Sequence, residues 1–133
     1  MLKTTFKASA IIASLISLSS FAHAEKLPKQ SPDFKANYNL AINDSKAKPA
    51  TALCSATVHD LTKDKKYKYD RFGFTQADYD AVTLNKTTGN GATSVQLTGE
   101  ARLRSGGTAW EPITVKCVVS KNKVQSISVT VKK

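Results

Sequence analysis

Histidine is almost missing from this chain. Of the two present, His23 falls in an N-terminal segment expected to be removed, which leaves His59 as the one imidazole available for acid–base work. With no second histidine beside it and no unpaired cysteine expected, His59 has no partners for a zinc set and reads as a surface or half-buried residue of a helix. Acidic residues are also few. Asp60, Asp64, Asp70, Asp78 and Asp80 are scattered among lysines and lack the alternating pattern and closing glutamate of a calcium loop. No serine stands in G-x-S-x-G. Gly89-Asn90-Gly91 and Gly106-Gly107 have neither of the phosphate-cradling glycine spacings and lie between strand patterns, so they read as turns. Glu100 and Glu111 have nothing beyond their existence to make them a carboxylate pair for glycoside cleavage. These absences lead to the expectation of a protein that is not an enzyme and uses no cofactor, no metal and no evident small-molecule substrate.

Long apolar runs are equally scarce. The single one, Ala8 to Phe21, follows Lys3 and Lys7 and ends in Ala22-His23-Ala24, the small-x-small pattern of signal-peptidase cleavage. Residues 1–24 are therefore expected to be a signal peptide cut after Ala24, sending the chain to the periplasm or beyond it as a secreted protein. The run is shorter than the roughly 20 residues that span a bilayer, and no cysteine follows it directly to carry a lipid. Cysteine is limited to Cys54 and Cys117. In an oxidising compartment such a pair reads as a disulfide, because the close C-x-x-C spacing of a redox site is absent. Closing so long a loop is worth roughly 3 to 5 kcal/mol in the chain-entropy model.

What the chain has in excess is positive charge: 20 Lys and Arg against 10 Asp and Glu, a net +10. Losing Lys3 and Lys7 with the signal segment leaves a net +8, since every acidic residue lies after Ala24. A basic exported protein is drawn to anionic surfaces or to acidic partners.

It also has clear strand periodicity near its C-terminus. Val95, Leu97, Gly99, Ala101 and Leu103 alternate with Gln96, Thr98, Glu100, Arg102 and Arg104. Ile113, Val115, Cys117 and Val119 repeat the pattern, as do Ile127, Val129 and Val131. A period of two places each apolar set on one face of a pleated strand. A further strand is expected over Tyr79 to Lys86, packing through Val82 and Leu84. Ser105-Gly106-Gly107 and Ser120-Lys121-Asn122-Lys123 supply turns. Upstream, Pro49 suits the first turn of a helix, and Cys54, Val58 and Leu61 fall on one face of it. Alternation of Ala52, Cys54, Ala56 and Val58 leaves a strand as the competing reading. Residues 25–48 read as a flexible or partly helical leader, with Phe34, Tyr38 and Ile42 at helical spacing. The expected architecture is α+β in a single small domain over residues 49–133. In it one N-terminal helix packs on a four-stranded antiparallel β-meander and is stapled by Cys54 and Cys117.

One constellation remains as a candidate site. Lys63, Lys65, Lys66, Tyr67, Lys68, Tyr69, Arg71, Phe72 and Phe74 interleave cations with rings, a pattern that holds phosphates on the cations while the rings stack on a ligand. Arg102 and Arg104, on the outward face of the meander, extend the same patch. The competing reading tucks the rings into the core and leaves the cations as a solvated loop. Trp110 is expected to lid the core. The function expected from these features is that of an exported binding protein contacting an anionic envelope component, lipopolysaccharide or phospholipid, or an acidic protein. The alternative is a secreted inhibitor or effector that binds a host or competitor protein.

Overall fold

Pro49 opens helix α2 (Pro49–Leu61) because a first-turn residue needs no N–H partner, so the missing donor is harmless there. The helix reading around Cys54 holds. Its face of Cys54, Val58 and Leu61 is buried against the sheet, and the Cys54–Cys117 disulfide closes with the two alpha carbons 5.8 Å apart. This computed structural model describes residues 24–87, 89 and 91–133. The expected signal segment, Ala24 excepted, lies outside the described residues, as does Asn90 of the expected glycine turn.

Helix α1 (Phe34–Asn43) forms where Phe34, Tyr38 and Ile42 share a face, and it packs on α2. The residues before it are tied down at several points. The Glu25 backbone N–H donates to the Ile127 carbonyl at 2.8 Å, and Ala24 bridges to Ser128. Ser31 gives both its backbone N–H and its hydroxyl to the buried carboxylate of Asp60 on α2.

The sheet is antiparallel and holds one strand more than the periodicity predicts: β1 (Tyr69–Gly73), β2 (Thr83–Lys86), β3 (Thr93–Leu103), β4 (Trp110–Ser120) and β5 (Lys123–Val131). Strands β3, β4 and β5 form the expected meander. Both β1 and β2 pair with the outer edge of β3, β1 along Glu100 to Leu103 and β2 along Thr93 to Gln96. The extra strand lies in what reads as a connection. The strand expected from Tyr79 begins only at Thr83, because Thr75 and Asp78 form a reciprocal capping box that starts the short helix α3 (Gln76–Asp80). The β4–β5 hairpin turns on Lys121 and Asn122, both with positive φ, as a two-residue turn compatible with strand twist requires.

The core lies between α2 and the inward face of the sheet. Val95, Leu97 and Ala101 of β3, Ile113, Val115 and Cys117 of β4, and Ile127 and Val129 of β5 are all buried there. Gly99 is glycine for a steric reason: a Cβ at that position would lie 2.4 Å from the Phe74 ring and 2.7 Å from the Gly73 carbonyl. No helix among the described residues is long and apolar enough to cross a membrane.

Candidate functional site

The basic-aromatic segment divides in two once folded. A β-bulge between Tyr69 and Arg71 puts both Tyr69 and Phe72 on the inward side of the sheet. The rings then line up as Tyr67, Tyr69, Phe72, Phe74 and Tyr79, with successive centroids 5.7 to 6.4 Å apart. Tyr69 is fully buried and donates its hydroxyl to Glu111 at 2.7 Å. Burial first, and the Glu111 carboxylate second, hold its phenol well above its ordinary pKa. Burial likewise raises Tyr67, which is half-buried. The rings of this segment thus pack into the protein and do not form a stacking platform.

Two of the arginines are also engaged. The Arg104 guanidinium gathers four backbone carbonyls, donating to Tyr67 at 2.8 Å, Thr62 at 2.9 Å, Tyr69 at 3.1 Å and Asp64 at 3.2 Å. It organises the connection between α2 and β1. Arg102 forms a two-pronged ion pair with Asp70, at 2.8 and 3.2 Å. The hydrogen bond from Arg102 holds the Asp70 carboxyl below the usual carboxylate range. Lys63 pairs with Asp33, whose hydrogen bond and charge raise the lysine's pKa.

The remaining cations are different. Lys65, Lys66, Lys68 and Arg71 are exposed, and none forms an ion pair among the described residues. The Lys68 ammonium sits 4.9 Å from the Tyr69 ring centroid. Arg71 projects on the outward face of β1, where its cross-strand neighbour is Arg102.

Trp110 is placed opposite to expectation. It lies on the outward face of β4, 41% exposed, with the Arg102 guanidinium 5.9 Å from its ring centroid. Strand parity is the reason: with Ile113, Val115 and Cys117 inward, Trp110 shares the outward set with Pro112, Thr114 and Lys116. Beside it runs an open groove of about 420 Å³, lined by Gly73, Thr98, Glu100, Trp110 and Lys132 among others.

Neither a protein-family model nor any characterised protein or solved structure matches this chain. The site has to be read from its own chemistry. Among the described residues no three histidine, cysteine, aspartate or glutamate side chains converge as a metal site would require. His59 lies half-buried, edge-on to Phe74 at 5.8 Å, with its pKa lowered chiefly by burial. Ser55, one turn earlier on α2, shares a 2.8 Å hydrogen bond with the Tyr79 hydroxyl, so its oxygen is committed to a structural contact.

Proposed function

We propose that the protein is an exported, non-enzymatic binding protein that meets a phosphate-bearing surface of the cell envelope through Lys65, Lys66, Lys68 and Arg71. The observation that carries this reading is that these four cations, close together in the chain, are exposed and form no ion pair among the described residues, while their neighbours Lys63, Arg102 and Arg104 are each occupied. Exposed cations gain about 1 kcal/mol each near an anionic membrane surface, and these four give up no ion pair among the described residues to do so. The buried disulfide supports an oxidising, extracytoplasmic location.

The test is co-sedimentation of the protein with lipopolysaccharide and with phosphatidylglycerol vesicles, at low and at physiological salt, for the natural chain and for Lys65→Glu, Lys66→Glu, Lys68→Glu combined. The natural protein is expected to bind, more weakly as salt rises, and the triple variant to lose binding. Binding that survives the charge reversal would overturn the site. Absence of vesicle binding, together with retention of one specific protein from envelope or host extracts, would replace this reading with that of a secreted inhibitor or effector.

A further inference from the structure

We infer that the outward face of the sheet carries a saccharide subsite centred on Trp110, and that with Arg71 at its edge this face selects a phosphorylated sugar; the phosphate half of the inference rests on the function proposed above. The register of the strands makes the case. Arg71 of β1 lies opposite Arg102 of β3, which lies opposite Trp110 of β4, so the three form one row across the sheet. With strands about 4.8 Å apart, the row spans about 10 Å from Arg71 to Trp110, the scale of a sugar ring and its phosphate.

Trp110 is unusual in this molecule. Every other aromatic ring among the described residues is buried or half-buried. Its indole is also held in place. Arg102 lies over it, itself fixed by Asp70. An exposed ring held before any ligand arrives is the condition under which stacking contributes most to affinity.

The groups around it suit hydroxyls. Glu100 and Lys132 line the same groove, are exposed, and form no ion pair or side-chain hydrogen bond among the described residues. One offers acceptors and the other donors. Beyond them Thr98, Thr114 and Thr130 face one another across β3, β4 and β5 as a row of side-chain hydroxyls. A pyranose has an apolar C–H face for the indole and a rim of hydroxyls for these groups. An apolar partner would leave Glu100 and Lys132 desolvated and unpaired.

Charge sets the orientation. Arg102 is neutralised by Asp70 and Lys132 shares its groove with Glu100, whereas Arg71 forms no ion pair among the described residues, so the phosphate belongs at the Arg71 end of the row. Glu100, two residues along β3 from Arg102, repels a phosphate from the groove and accepts from sugar hydroxyls there.

Calorimetric titration of the oxidised protein tests this with three probes: lipopolysaccharide freed of its acyl chains, the same oligosaccharide after dephosphorylation, and inorganic phosphate. Phosphatidylglycerol vesicles serve as the sugar-free arm. The natural protein is expected to bind the phosphorylated oligosaccharide about tenfold or more tightly than either other soluble probe. Trp110→Ala should abolish that preference, Trp110→Phe should restore part of it, and both should bind vesicles as the natural protein does. If Trp110→Ala binds the phosphorylated oligosaccharide with unchanged affinity, or inorganic phosphate binds as tightly as the oligosaccharide, the subsite is overturned, whatever the vesicles show. A Trp110-dependent oligosaccharide preference in a protein that ignores vesicles would keep the subsite and overturn only the surface-binding reading.

Discussion

The two faces of the sheet use the same alternation for opposite ends. Inward, Val95, Ile113, Val115, Ile127 and Val129 share one buried cluster with Val58 and Leu61 of α2, and the one covalent cross-link, Cys54–Cys117, lies among them. Outward, the residues between them are Gln96, Thr98, Glu100, Arg102, Trp110, Thr114 and Lys116, of which Gln96, Glu100, Trp110 and Lys116 are exposed. The inward set is fixed by packing and tolerates little change. The outward set contains groups, Glu100 among them, with no ion pair or side-chain hydrogen bond among the described residues, and it is there that the proposed ligand is placed. The arginines show the same division at short range. Arg104 is spent entirely on backbone carbonyls, Arg102 on a carboxylate, and Arg71 on nothing within the described residues.

The strongest way to break the inward face is to remove its cross-link. Replacing Cys54 and Cys117 together by Ala should lower unfolding free energy by about 4 kcal/mol, through restored freedom of the unfolded chain. Urea denaturation monitored by circular dichroism would show the midpoint fall. An unchanged midpoint would mean that the α2–sheet contact holds without the bond.

Next in size is Arg104→Ala, expected to cost about 2 to 4 kcal/mol because four carbonyls around the α2–β1 connection lose a charged donor together. Arg104→Lys should recover little, since an ammonium does not reproduce the planar fork. Arg102→Ala is the matched control. Its single ion pair is half-buried at the sheet surface, so the loss should be smaller than at Arg104. Equal losses at the two positions would erase the distinction drawn between them.

Much of this was legible in the sequence, and the exceptions have physical causes. The inward residues of β3, β4 and β5, the α2 stripe and the disulfide follow from periodicity and compartment alone. Strand β1 does not, because the bulge shifts the phase: Tyr67 and Tyr69 occupy odd positions, Phe72 and Phe74 even ones, and no single alternation connects them. Tyr79 alternates with its neighbours like a strand residue, yet the Thr75–Asp78 capping box, a local signal, wins over the pattern. The duty of Arg104 is invisible before folding, since the four carbonyls converge only in three dimensions. Trp110 was legible in principle. Extending the parity of Ile113, Val115 and Cys117 three residues back places it outward, whereas its size alone suggests a core lid. The candidate site was therefore half readable: its cations from charge, its occupied members only from geometry.

The smallest effect sharpens the boundary between the helices and the sheet. His59 sits half-buried between α1, α2 and Phe74, in a small cleft with Asn37, Ser45, Ser55 and Tyr79. Burial lowers its pKa most, the adjacent Asp60 opposes this, and Lys63 adds to it. In the unfolded chain His59 takes up its proton near the ordinary value of about 6.5, before the folded chain does. The unfolded state then binds more protons, so stability must fall as pH drops below that value, and the fall levels off once the folded-state pKa is passed. Denaturation midpoints measured from pH 7.5 to pH 5 should decline for the natural protein and decline less for His59→Gln, which has no charge to acquire. Parallel slopes in the two proteins would show that the acid sensitivity does not come from His59.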